Sequence, residues 1–330
     1  MHQRVFKTSD AVTVHYRTFR NDDPPALVEI WNSALTGRSA APLRSPTPLE
    51  WHALSKPYFD PAGLIVAVDN SGTPVGFAHA GFGPNRKENG ISYSTGITCM
   101  IAVRPECQRR GIGSELLGRC EEYLMQKGAK TIYAGPVRPL APFYFGLYGG
   151  SDLPGFLATD EAAAPFLEYH GYSPSSTCLV FQRYLDQPIN IADARFSKLR
   201  QRYHVRVMPP PSVGTWWHEC VWGPIEPHEF RLEEIIGGRV VARAQVWEME
   251  GFSWRWGIPV AGIINFLVRE DLRRKGIGKF LLVQILKHLQ EQYFGLVEVQ
   301  TMERNQGAVE LLKKVGFQKV DFGRTYKQLH

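Results

Sequence analysis

The chain has 330 residues, 44% of them hydrophobic and 21% charged, and a formal net charge of +6. That length favours two domains over one, and the balance is that of a globular protein able to bury sizeable cores. No stretch approaches the ~18 unbroken apolar residues of a membrane helix, and Met1-His2-Gln3-Arg4 lacks the apolar core of a signal peptide, so no membrane partner and a cytoplasmic location are expected.

Residues 12–17 read as a strand, 24–34 as a helix and 49–54 as a shorter helix. A hairpin follows, with strands 64–68 and 75–81 joined at Asp69-Asn70-Ser71-Gly72. Residues 97–103 form an apolar run suited to a buried strand. Beyond a glycine-rich loop, apolar residues at 116, 117, 120 and 124 mark an amphipathic helix that Gly128 stops. A strand at 131–134 comes next, then an aromatic, glycine-rich stretch at 142–150. A short helix ends in Tyr169-His170-Gly171-Tyr172, and a strand at 178–184 closes the first part.

The polar stretch 186–200 reads as a linker between domains at 1–185 and 201–330. In the second part, 208–227 is proline-rich with room for about one helix, and a hairpin turns at Gly237-Gly238. An apolar strand at 263–268 precedes a second glycine loop. Apolar residues at 281, 282, 285, 286 and 289 form the next helix. A strand at 296–301, a short helix ending in Gly316-Phe317 and a last strand at 324–329 complete the chain.

The two parts are copies. Val103 to Ser114 (VRPECQRRGIGS) is matched by Val268 to Lys279 (VREDLRRKGIGK), and Leu116-Leu117 by Leu281-Leu282. From Gly111 to Gly276 the offset is 276 − 111 = 165 residues, half the chain. The strand, loop and helix of each copy make an anion site. The first N–H groups of a helix lack intrahelical partners and carry the positive end of its dipole. Glycines there let a phosphate approach the backbone, and the preceding arginines add charge-assisted contacts. Neither loop has the Lys-Ser/Thr pair of a P-loop or the third glycine of a dinucleotide fingerprint. The densest basic clusters lie inside these loops, which points to a polyanionic small molecule ahead of nucleic acid.

Gln108-Arg109-Arg110-Gly111-Ile112-Gly113 and Arg273-Arg274-Lys275-Gly276-Ile277-Gly278 resemble the pyrophosphate loop of the GNAT N-acetyltransferase superfamily. As two copies the resemblance covers nearly the whole chain, in an arrangement similar to the tandem mycothiol synthases. It implies an α/β fold of two domains, each a mostly antiparallel mixed sheet flanked by helices. It implies acetyl-CoA, or another acyl-CoA, with its pyrophosphate on these loops through Ser114 and Lys279. The pantetheine arm would lie along Ile101, Ala102 and Val103 or along Phe266, Leu267 and Val268. A further feature, Asn-x-x-Ala ahead of a helix ending in Gly-aromatic, is intact in the second copy as Asn305 and Ala308. The first copy has Asp160 at that place, so its cofactor site is expected to be the weaker.

The family's proton-donating tyrosine falls at Leu167 and Leu312, which donate nothing. His170 is either an acid on the same helix face as Leu167 or a helix-end residue favoured by the dipole. The family's base position falls at Gln300, with Glu298 two residues earlier on the same strand face, so these two are the catalytic candidates. Glu298 is either a base or an ion-paired carboxylate. The stretch 142–150 either covers an acceptor pocket or packs the copies together, and most of the tryptophans between 216 and 256 are expected in the core. The five cysteines show no metal-ligand spacing and are expected to be reduced. The leading reading is acyl transfer to a small-molecule amine. The alternative is an acyl-CoA-binding regulatory or scaffold protein without chemistry. The acceptor and the oligomeric state are left open.

Overall fold

The computed structural model describes residues 13–209, 214–223 and 225–329; the N-terminal tetrapeptide and the first residue of the strand expected at 12–17 lie outside them. The first copy runs β1 (His15–Thr18), α1 (Pro24–Ala34), α2 (Thr47–Leu49) continuing into a π-turn (Glu50–Leu54), β2 (Leu64–Val68), β3 (Pro74–Pro84) and β4 (Ile91–Val103). It continues through α3 (Ile112–Gln126), β5 (Thr131–Ala134), β6 (Phe156–Leu157), α4 (Ala163–Tyr169) and β7 (Tyr172–Tyr184). The second begins with α5 (Phe196–Arg202), β8 (Tyr203–Met208), α6 (Trp216–Trp222), β9 (His228–Glu234), β10 (Val240–Glu248) and α7 (Glu250–Trp256). It ends with β11 (Val260–Val268), α8 (Ile277–Glu291), β12 (Leu296–Met302), α9 (Gln306–Lys314) and β13 (Gln318–Gln328).

Among the described residues the strands form one mixed sheet in the order β1-β2-β3-β4-β5-β13-β7-β12-β11-β10-β9-β8, with β6 attached to β13. Two contacts are parallel, β4 with β5 and β11 with β12; the others are antiparallel. The order places each copy's last strand in the other copy's sheet. β7 pairs with β12 from Leu296↔Tyr184 to Met302↔Cys178, and β13 pairs with β5 at Tyr326↔Ala134. The two exchanged strands then pair with each other along nearly their full lengths. The stretch 186–200 is packed chain at several points: Ile189 and Phe196 are buried in the second core, and Phe196 is the first residue of α5.

The period-2 alternation of the strands sorts the cores. Ile65 and Ala67 face α3, while Leu64, Val66 and Val68 face the opposite layer. Val297 and Val299 likewise face α8, and Leu296 faces away. Both loop helices carry the expected buried stripes, Leu116, Leu117, Cys120 and Leu124 on α3, and Leu281, Leu282, Ile285, Leu286 and Leu289 on α8.

The opposite layer is continuous across both copies. It joins Leu27 and Trp31 of α1 to Trp217 and Trp222 of α6, to Trp247 and to Phe252 of α7. Phe143, Tyr144, Phe145, Leu147 and Tyr148 are buried at its centre, so the aromatic stretch packs the copies together. Among its described residues the segment 208–227 holds one helix, α6. A second wall helix, α7, comes from a place the sequence did not mark, between β10 and β11.

Candidate functional site

The two loops are geometric copies. Arg109 and Gly111 have φ of 60° and 82°, and Arg274 and Gly276 have 64° and 86°. Left-handed residues at matching places turn the chain from strand end to helix start, a bend glycine adopts without steric cost. Gln108 Nε2 donates to Val103 O at 2.9 Å, and Arg273 Nε to Val268 O at 3.2 Å, so these side chains tie each loop to its strand. Arg109, Arg110, Arg274 and Lys275 are exposed, while Ile112 and Ile277 anchor the helices in the cores.

Their surroundings differ. Beside the second loop lies Arg195, whose guanidinium carbon would be 3.0 Å from a Cβ on Gly276. Arg195 is held by Asp193 at 2.8 and 2.7 Å, and Asp193 also accepts from Lys279 Nζ at 3.2 Å. The Arg195 guanidinium holds the Asp193 carboxyl well below the usual carboxylate range. Arg195 sits in the expected linker, where nothing in the local sequence marks it as a loop neighbour. In the first copy the equivalent of Lys279 is Ser114, and its Oγ bonds His170 Nε2 at 2.9 Å. Phe166 packs against Gly113 there. His170 is the C-terminal cap of α4, and this contact with α3 gives it a structural partner.

Behind each loop the parallel strands part at the same relative place. The last pair is Thr98↔Ala134 in the first copy and Ile263↔Val299 in the second. In the second copy β12 runs on to Met302, so two strand ends diverge and enclose a cavity of about 380 Å³. Phe266, Leu267, Asn305, Leu311 and Leu312 line it from the second copy; Arg138 and Asp152 reach it from the first. Asn305 accepts from Ala308 N at 3.3 Å and so caps α9 at the cavity wall.

In the first copy the second wall is missing, because the chain leaves the sheet at Gly135 (φ 87°). Phe156 and Phe166 pack against the cluster that contains Val103, Ile112 and Ala134, and Ile101 joins it. Ala102 and Val103 are paired with β3. Asp160 is turned away from the strand gap. It accepts from Ser39 Oγ at 2.7 Å and from the Tyr148 hydroxyl, and burial raises its carboxyl above the ordinary range.

Of the catalytic candidates, Gln300 lines the cavity and Glu298 does not. Glu298 is fully buried. It accepts from Arg38 Nη2 at 3.0 Å, Ser151 N at 2.7 Å, Gln182 Nε2 at 2.8 Å and Gln300 Nε2 at 3.3 Å. Gly150 (φ 98°) passes so close that any Cβ there would collide with the carboxylate. Offered as either a base or an ion-paired carboxylate, Glu298 pairs with Arg38 and accepts from four donors. Gln300 Nε2 donates to Gly149 O at 2.7 Å, which leaves Oε1 buried without a hydrogen-bond partner. Both Nε2 partners are acceptors, which fixes the orientation of the amide. Cys178 also lines the cavity, and burial pushes its thiol up to about 12, which keeps it protonated and a poor nucleophile.

Residues 25–146 and again 194–317 match the profile of the acetyltransferase (GNAT) family. The chain belongs to that family. The family's chemistry is acyl transfer from an acyl-CoA, and the chain matches the family's domain twice. A curated relative, the mycothiol acetyltransferase of Arthrobacter sp. (strain FB24), is 33% identical over 79 residues, and that match spans 24% of each chain. Among solved structures, a tandem GNAT protein from the clavulanic acid biosynthesis pathway aligns with a TM-score of 0.66 at 17% identity, over 96% of this chain and 98% of that one. A GCN5-related N-acetyltransferase from Sphaerobacter thermophilus aligns with a TM-score of 0.63 at 16% identity, over 96% and 95%. The GCN5-related glucosamine N-acetyltransferase region of a fungal GH3 β-N-acetylglucosaminidase gives 0.70 at 16% identity, and this chain spans 38% of that protein. At these identities the structures share the fold. Among the described residues no helix is long and apolar enough to cross a membrane, and no cluster of His, Cys, Asp and Glu has the arrangement of a metal site.

Proposed function

We propose that the second copy binds acetyl-CoA and transfers its acetyl group to the amine of a small molecule, and that the first copy serves as scaffold. The observation that carries this reading is the divergence of β11 and β12 under an intact loop, against the loss of the corresponding wall at Gly135. A cavity of about 380 Å³ falls in the range of roughly 300–1,000 Å³ usual for small-ligand sites. The pyrophosphate would rest on the backbone of Arg274 to Lys279, with Arg195 alongside, and the pantetheine arm would run past Phe266, Leu267 and Asn305. Backbone donors freed where β11 leaves its ladders would polarise the thioester carbonyl as charge develops on its oxygen.

Gln300 is assigned to orient the acceptor. Its free Oε1 accepts a hydrogen bond from an amine N–H but cannot take a proton as a carboxylate does. The amine therefore reacts as the free base or loses its proton to water. With no enzyme carboxylate in this role, the rate should rise with pH until the acceptor itself is deprotonated, near ~10 for a lysine-like amine. CoA release from acetyl-CoA, measured with a panel of primary amines, tests this. Amines should accelerate release, and Gln300→Leu should lower kcat/KM for the amine by about tenfold at unchanged acetyl-CoA affinity. Release that no amine accelerates would contradict the reading.

A further inference from the structure

The divergence of β11 from its neighbours is sharpest at one residue. Asn265 has φ 51°, and together with Phe266 it lacks a register partner on β10 and on β12. The register passes from Gln245↔Ile264 to Arg243↔Leu267, so β11 carries one residue more than β10 across this interval. Such a bulge re-aims backbone groups out of the ladder, here beside the cavity that Asn265 and Phe266 line. The counterpart of Asn265 in the first copy is Met100, which is not left-handed.

The Asn265 amide is clamped at both ends. Its Nδ2 donates to Gln245 Oε1 at 2.6 Å, and its Oδ1 accepts from Arg138 Nη1 at 2.6 Å. Arginine only donates, so the amide orientation is unambiguous. Arg138 belongs to the first copy and is itself fixed twice, by an ion pair with Asp152 and by stacking 5.0 Å from the Trp222 ring centroid. The same segment of the first copy grips the facing strand, through Gly149 O on Gln300 and Ser151 N on Glu298. A left-handed Asn is tolerated but needs such support more than glycine would.

We infer that Arg138 is a positioning residue for the second copy's site, holding the Asn265 bulge so that its backbone N–H groups face the reacting carbonyl. The first copy thus shapes the chemistry of the second from the cavity wall, where Arg138 and Asp152 stand. This rests on the assignment of acetyl-CoA to that cavity.

The test uses the full chain and acetyl-CoA carrying ¹³C in its carbonyl, read by infrared difference spectroscopy, so that no acceptor is needed. Wild type should bind the probe and lower its carbonyl stretching frequency. Arg138→Met keeps the apolar stem over Trp222 and removes the donors. It should lose that shift even at probe concentrations that saturate the protein. Arg138→Met with Asn265→Gly should regain the shift, because glycine holds the left-handed turn unaided. If Arg138→Met does not fold, Arg138→Lys, which is too short to bridge Asp152 and Asn265 together, carries the same comparison. A variant at 138 that retains the full shift, or a loss that Asn265→Gly does not restore, overturns the inference and leaves the cofactor assignment standing. Failure of wild type to bind acetyl-CoA overturns both.

Discussion

Replacing Gly276 and Gly278 together by aspartate is expected to abolish acetyl-CoA binding, whereas Gly111→Asp with Gly113→Asp changes it little. The two second-loop positions flank the start of α8, where free N–H groups and the helix dipole favour an anion. A carboxylate there meets the pyrophosphate at close range. One such repulsion near 4 Å at a protein surface is worth about 4 kcal/mol, or about 10³-fold in affinity. An aspartate at 276 also faces the Arg195 guanidinium and draws that cation away from the ligand. The first loop is the matched control, because its glycine has the same left-handed turn but the strand wall behind it is missing. Isothermal calorimetry of both double variants reads the result. Equal losses from the two would show that the loops share the work.

The second large effect falls on stability. Glu298→Gln should lower stability by about 3–5 kcal/mol, because it removes the buried partner of an ion pair and leaves Arg38, whose side chain is partly exposed, short of a countercharge. The new amide N–H groups would also face donors on Arg38 and Gln182. Asp321, 3.4 Å from Arg38 Nη1, compensates in part, which favours the lower end of that range. Thermal unfolding should move down by roughly 5–15 °C. Below the new midpoint, the acetyl-CoA affinity should stay near wild type and the pH dependence of turnover should keep its shape. A large loss of turnover at unchanged stability, rescued as pH rises, would return Glu298 to the role of base.

Much of this was legible because it is local. The shared offset of 165 residues fixed two loops, two helices and the strands before them, and the left-handed pairs at Arg109 and Gly111 and at Arg274 and Gly276 repeat at that offset. The departure at Asp160 goes with a different set of partners for that side chain. It serves Ser39 and Tyr148, not the strand gap.

What the sequence hid is long-range. The last strands of the two copies have similar patterns, so nothing local says that β7 belongs beside β12 and β13 beside β5. Glu298 reads as a candidate base because a strand carboxylate near a site has that spacing. Arg38, Ser151 and Gln182, which occupy it, lie 260, 147 and 116 residues away. Arg138, Asp152 and Arg195 escaped for the same reason. Each sits in a stretch with no motif of its own; Arg138 and Asp152 acquire a role only when the copies pack together, and Arg195 when its segment folds back beside the second loop.

One copy of the pair is proposed to hold the cofactor. Titration of the wild-type chain with acetyl-CoA in a calorimeter tests it most directly. One equivalent should bind per chain, with the heat lost when Gly276 and Gly278 are both aspartate. Two equivalents of equal affinity would contradict it.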